Sequence, residues 1–61
     1  MVTYVVEVKY VRDLLRDPKT PYVEYSGVEH RRLRDAVKEL AIAKTDSSVE
    51  MYCIHEREAR T

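Results

Sequence analysis

The sequence predicts an α+β domain, in which one helix packs on one face of a three-stranded antiparallel sheet with strand order 2-1-3. Three observations predict this β-β-α-β fold. Residues 2–11 alternate apolar and mixed positions with the period of a strand, and residues 33–44 repeat apolar residues with the period of a helix. Turn-forming segments then separate these two elements from two further strands, at 21–25 and 49–55.

Length and composition limit the kind of protein this can be. The 61 residues form a single small domain, 1–61, which is too short for a nucleotide-binding fold. A single Cys excludes a disulfide scaffold, and 11 basic against 11 acidic residues give a net charge of zero. A domain of about 60 residues buries only about 60% of its unfolded surface. We therefore expect a homodimer or an obligate complex.

The chain start predicts a cytoplasmic protein with no membrane partner. Glu7 and Lys9 interrupt the first ten residues, so the basic start and apolar run of a signal peptide are missing. No segment approaches the length of about 18 apolar residues that a membrane-spanning helix needs.

The first strand is predicted over 2–11, with its even positions forming a continuous apolar face. Residues 12–20 are predicted to be a long hairpin loop, in which a single helical turn at 13–16 is left open. The second strand, 21–25, begins with Pro21, which cannot donate to a ladder and so suits an edge strand.

The helix is predicted to begin at Ser26 or one residue later, because Ser26 and Glu29 have the spacing of a capping box. It should end near residue 43 or 44. Its predicted apolar face is made of Leu33, Ala36, Val37, Leu40, Ala41 and Lys44. A right-handed crossover then places the third strand beside the first. The charged tail, 57–61, is expected to fray.

One face of such a sheet has no part of the chain left to cover it, and this face is the predicted protein-binding site. Exposed tyrosine beside aliphatic residues is typical of protein interfaces. The parity of the third strand is open, but Val49, Met51 and Cys53 make the cleaner core row. With that parity, the predicted binding residues are Val5, Glu7, Tyr22, Glu24, Tyr52 and Ile54. The edge of the third strand, which has no Pro or Lys, could also pair with a partner strand or with its own copy.

An alternative is nucleic-acid binding by the basic helix residues Arg31, Arg34 and Lys38. Residues 28–45 carry five basic and three acidic residues, so the local excess of positive charge is small. Cys53 and His55 are two apart on a strand, and with His30 they could in principle bind zinc or form a thiol site. Metal sites usually show paired close spacings, so we expect no metal, cofactor or catalytic residue.

The size, neutral charge and strand-strand-helix-strand order resemble those of small phage-encoded proteins that bind and inhibit host enzymes. The resemblance is one of architecture. It implies a modulator or inhibitor of a host protein, encoded by a phage or another mobile element. Together with the uncovered sheet face, it leads to the expectation of a non-enzymatic interaction protein.

Overall fold

A computed structural model of the protein describes residues 1–58. It contains the strands β1 (Val2–Tyr10), β2 (Val23–Glu24) and β3 (Val49–Glu58), and the helices α1 (Val11–Arg16) and α2 (Leu33–Thr45). The strands form one antiparallel sheet in the order β2-β1-β3, which confirms the predicted fold class and strand order. In the predicted tail, residues 57 and 58 continue β3, and residues 59–61 lie outside the described residues.

The centre of the fold is β1, which pairs with a neighbour along both of its edges. Val6 and Val8 point to the helix side and are fully buried with Ala36 and Ala43 of α2. Small alanine side chains let a helix lie close to a sheet, so the two layers meet over a thin core. The even face of β1 is therefore covered by the helix, as the sequence predicts.

The connection after β1 differs from the predicted loop at 12–20. Residues 11–16 form the short helix α1, which the prediction had left open as a single turn at 13–16. Arg16 pairs with Asp13 one turn earlier, at 2.9 Å. Chain reversal follows at Asp17, whose carboxylate accepts a hydrogen bond from the backbone N–H of Lys19. The strand β2 is shorter than predicted and is paired with β1 over Val23–Glu24.

The predicted helix start at Ser26 is wrong, because α2 begins at Leu33. Gly27 turns the chain with a φ of +78°, and His30 then pairs with Tyr4 of β1 through two backbone hydrogen bonds of 2.8 Å. Glu29, the second half of the apparent capping box, instead accepts a hydrogen bond from the buried Thr3. Pairing with β1 thus replaces the first turns of the expected helix.

The orientation of α2 is rotated from the predicted apolar face. Ala36 and Ala43 are fully buried and Leu40 packs against them, whereas Leu33 and Val37 stay about half exposed. The Nε2 of His30 lies 2.5 Å from the carboxylate of Glu39 and joins one side of the helix to the segment paired with β1.

A β-bulge near the start of β3 determines which of its side chains point towards the helix. Tyr10 pairs with Val49, while Lys9 pairs with Met51, so Glu50 is an extra residue in a β-bulge. Val49 and Ile54 consequently both pack on the helix side. The preference for Met51 and Cys53 as core residues is wrong, because both lie on the opposite face.

The turn between α2 and β3 is organised by Asp46. Its carboxylate accepts hydrogen bonds from the hydroxyl and the backbone N–H of Ser48, and these hold the pKa of Asp46 below its ordinary value. The Tyr25 hydroxyl also donates to Asp46, at 2.9 Å, which ties the end of β2 to the end of α2.

The packing of α2 gives a direct stability prediction. Leu40→Ala should lower the free energy of unfolding by about 2–3 kcal/mol, because it removes a side chain from a thin core. Ile42→Ala, on the same helix at a 61% exposed position, should change it by less than about 0.5 kcal/mol. Urea unfolding of both variants at one chain concentration measures the difference. Equal effects of the two substitutions would contradict this orientation of α2.

Candidate protein-binding face of the sheet

The face of the sheet opposite α2, called the outer face below, carries the odd residues of β1, the odd residues of β3 from Met51 onward and two residues of the β2 segment. Strand register and side-chain contacts place these residues together. They are Thr3, Val5, Glu7 and Lys9 of β1, Met51, Cys53, His55 and Arg57 of β3, and Tyr22 and Glu24. The helix α2 covers the opposite face of the sheet, and Met51 and His55 are exposed on this one.

A partly exposed ion-pair network occupies the middle of the outer face. Glu7 and Glu24 are direct cross-strand partners, and two carboxylates in that position repel each other. Arg57 bridges them, with one guanidinium nitrogen 3.4 Å from Glu7 and the other 3.3 Å from Glu24. The arginine therefore neutralises two acids that the strand register places side by side.

The same arginine covers the central valine of this face. Arg57 lies opposite Thr3 in the ladder, yet its guanidinium reaches Glu7, beyond Val5. Its side chain must therefore cross Val5 diagonally, and the aliphatic part of an arginine side chain is well suited to cover an apolar neighbour. This explains why Val5 is fully buried although it does not belong to the core under the helix.

Cys53 and His55 flank the same carboxylate. Cys53 is the cross-strand partner of Glu7, and the Nδ1 of His55 lies 3.8 Å from the Glu7 carboxylate. Burial raises the pKa of the Cys53 thiol, and the nearby charge of Glu7 raises it further. At neutral pH the thiol is thus held protonated, which is the opposite of what a nucleophilic cysteine needs.

One end of the outer face combines aromatic, cationic and thioether groups. The Nζ of Lys9 lies 4.8 Å from the centre of the Tyr22 ring, which is a cation–π contact. Met51 is the cross-strand partner of Lys9 and is 43% exposed. Tyrosine and methionine are enriched at protein interfaces, so Tyr22 and Met51 give this end part of the composition of a contact surface.

The structure divides the six predicted binding residues between the two sides of the sheet. Glu7, Tyr22 and Glu24 lie on the outer face, and Val5 lies there beneath Arg57. Tyr52 and Ile54 lie on the helix side, because the bulge at Glu50 reverses the expected parity of β3.

The replacement residues on the outer face are Met51, His55 and Arg57, which sequence reasoning did not select. They lie there because the odd residues of β3 from Met51 onward are on the outer face, and the sequence did not decide which residues of this strand face outward. The assignment of residue 57 to a fraying tail also hid the arginine. With these residues in place, the outer face has Lys9 and Arg57 against Glu7 and Glu24, so these four charges balance.

The three potential zinc ligands are not brought together. Cys53 and His55 lie on the outer face, whereas His30 pairs with Glu39 on the helix side. Within residues 1–58, no group of three His, Cys, Asp or Glu side chains is close enough to hold a metal ion.

The basic residues of the alternative nucleic-acid site are all exposed. Arg34 and Lys38 lie one turn apart on the side of α2 away from the core, and Arg31 precedes the helix. None of the three forms an ion pair with another residue of the described range 1–58. Arg34 and Lys38 thus share one exposed side of α2, and these two residues with Arg31 are called the basic area below.

A separate open groove of about 620 Å³ lies between α1 and the turn before β3. Tyr10, Val11 and Leu15 contribute its apolar lining, and Leu15 is largely exposed. The acid in its wall, Asp13, is already paired with Arg16. The groove therefore adds exposed apolar surface without a converging set of polar groups.

Comparisons with protein-family models, with curated proteins and with solved structures find no match to this chain. Neither helix of residues 1–58 has the length and apolar character needed to cross a membrane.

Because Arg57 bridges Glu7 and Glu24, the effect of a Glu24 substitution on the free energy of unfolding should depend on whether Arg57 is present. Arg57→Ala should destabilise the fold by about 1–2 kcal/mol, because it uncovers Val5 and leaves Glu7 facing Glu24 unneutralised. Glu24→Gln should be neutral or destabilising in the wild-type chain, but stabilising in the Arg57→Ala background. Urea unfolding of the four variants tests this. The bridge is refuted if Glu24→Gln has the same effect in both backgrounds.

The environment of Cys53 predicts a slow thiol. The pH at which its alkylation by iodoacetamide reaches half-maximal rate should lie above that of the urea-unfolded chain, because burial and Glu7 both raise its pKa. Glu7→Gln should move this midpoint part of the way down, since burial is the larger cause. A midpoint at or below that of the unfolded chain would show that the thiol is activated.

Proposed function

We propose that this chain is a non-enzymatic interaction protein that binds a partner protein across the outer face of its sheet. The observation that carries the proposal is that Tyr22, Met51, His55 and Arg57 lie on the face opposite α2, where Met51 and His55 are exposed and Tyr22 and Arg57 are partly exposed. Residues of these types supply large contact areas and several hydrogen bonds at protein interfaces.

The electrostatics of the face favour a protein over a nucleic acid as its partner. A surface that binds phosphate backbones needs an excess of Lys and Arg. Here Lys9 and Arg57 are offset by Glu7 and Glu24, and Arg57 is already engaged by both acids. A mixed face with fixed ion pairs instead suits recognition of a partner that presents both apolar and charged groups.

The state of Cys53 supports a non-enzymatic role. A catalytic thiol is activated by a lowered pKa or by a base that takes its proton. Burial and the Glu7 carboxylate act in the other direction on Cys53. The nearest histidine, His55, has its Nδ1 directed to Glu7 at 3.8 Å. Modulation of a host protein remains an expectation from architecture.

Nucleic-acid binding is the second candidate function, favoured by the exposed and unpaired Arg31, Arg34 and Lys38. Binding of this kind would weaken steeply with salt and with Arg31→Ala plus Arg34→Ala. The expected homodimer is also a proposal. It would use a different surface, the edge of β3 that points away from β1, which is called the outer edge below.

Affinity capture with matched variants tests the proposed function. The immobilised chain is exposed to lysate of its native host, and retained proteins are quantified by mass spectrometry. A true partner should be retained by the wild-type chain and lost at least about tenfold with Met51→Glu, because a charge enters the contact surface. Ile42→Glu makes the same chemical change on the exposed side of α2 and should retain the partner.

Three outcomes contradict the proposal. They are retention of no protein above a blank support, equal retention by the Met51→Glu and wild-type chains, and retention of nucleic acid that is lost with Arg31→Ala plus Arg34→Ala. The third outcome would establish the basic area at α2 as the binding site.

A further inference from the structure

The backbone of β3 has a set of hydrogen-bonding groups directed away from the sheet. Tyr4 exchanges two backbone hydrogen bonds with His30, and the carbonyl of Val6 accepts one from the N–H of Tyr25. The backbone N–H and C=O groups of the even residues of β1 therefore point towards the β2 edge. Successive residues of an antiparallel strand bond to opposite neighbours, so the odd residues of β1 bond to β3. Their partners are the odd residues of β3. The even residues, Tyr52, Ile54, Glu56 and Glu58, therefore present their N–H and C=O groups at the outer edge.

Exposed apolar side chains run beside this edge, on the helix side of the sheet. The Nζ of Lys44 lies 5.7 Å from the ring of Tyr52, which shows that this side of α2 overhangs β3. Leu33 and Val37 share that side by helical spacing and are about half exposed. Glu39 contacts His30, which pairs with β1 on its β2 side, so the side of α2 that carries Glu39 lies away from β3. The unpaired backbone and the apolar row thus form one continuous surface.

We propose that this surface binds a second copy of the same chain, through antiparallel pairing of the two β3 strands about a two-fold axis. The pairing would join two three-stranded sheets into one sheet of six strands, with both α2 helices on the same side. This inference specifies the homodimer of the proposed function, on which it rests. It leaves the outer face of both sheets open.

Helix spacing supports a second copy as the occupant. The helix α2 packs on both β1 and β3, so its axis lies above the space between them. Strands are about 4.8 Å apart, so the two-fold axis lies about 2.4 Å outside β3. The two helix axes would then be about 10 Å apart, which is the distance at which helices pack. Leu33 and Val37 would face their counterparts across the axis.

Charge selects the register of the pairing. When the axis passes through Ile54, each Tyr52 faces Glu56 of the partner subunit, and the Lys44 above Tyr52 meets that carboxylate. An axis through Cys53 would instead place Glu50 opposite Glu56 of the partner subunit in both halves. Each register places two pairs of glutamates opposite each other, Glu50 with Glu58 of the partner subunit in the Ile54-centred register and Glu50 with Glu56 of the partner subunit in the other. Only the Ile54-centred register adds two ion pairs, between Lys44 and Glu56 of the partner subunit.

Molar mass measured by light scattering tests the dimer. At about 100 µM chain, a dimer with micromolar affinity is largely formed, so the wild-type mass should be about twice 7.2 kDa. Val37→Glu should raise the dissociation constant at least about 100-fold, because two carboxylates would be brought together between the helices. Ile42→Glu, on the same helix but away from β3, should stay dimeric, as should Met51→Glu on the outer face. A monomeric wild-type chain, or no effect of Val37→Glu, overturns the inference.

A cysteine pair tests the register without relying on that variant. In the Ile54-centred register, residue 55 faces Cys53 of the partner subunit at a position without backbone hydrogen bonds. Its Cα–Cα distance is about 4.5 Å, within the disulfide range. His55→Cys treated with oxidised glutathione should run as a covalent dimer on a non-reducing gel, and the wild-type chain as a monomer. Covalent dimers of the wild-type chain through Cys53 would establish the other register and overturn this one.

Discussion

The pairing of β1 along both of its edges is the constraint on which the rest of the structure depends. In this protein β1 is also covered on both faces, since Val5 on one side and Val6 and Val8 on the other are fully buried. The even face obtains its cover from α2, and the odd face obtains it from Arg57, whose side chain reaches across Val5. One strand thus packs against the helix on one side and lies beneath an ion-pair network on the other.

The sequence was sufficient for β1, the existence of α2 and the strand order, because these follow from local periodicity and from the rules of chain crossover. It was insufficient for the start of α2. Ser26 and Glu29 have the spacing of a cap, but the backbone of Tyr4 needs a partner beyond the end of the short β2. Two hydrogen bonds to His30 meet that need, and a long-range requirement of this kind leaves no sign in local spacing.

The facing of β3 could not be predicted for a different reason. The alternation of Val49, Met51 and Cys53 and that of Tyr52 and Ile54 are both plausible core rows, and a regular strand can bury only one of them. Because of the bulge at Glu50, Val49 from the first row and Ile54 from the second both pack on the helix side. The candidate site depended on this choice, so both of its predicted β3 residues, Tyr52 and Ile54, lie on the helix side, whereas Tyr22 and Glu24 lie on the outer face as expected.

The thin core also explains why apolar surface is left over on one side. Two alanines bring α2 close to β1, but they fill little volume, and the helix rotates Leu33 and Val37 towards the edge of β3. A domain this small has little stability to spare, so exposed apolar groups beside an unpaired strand edge favour association. Association at that edge uses backbone groups and helix side chains, whereas the outer face uses Tyr22, Met51 and the Arg57 network. The two surfaces share the strand β3 but not the faces of its side chains, so a self-paired chain could still present the outer face to a different partner.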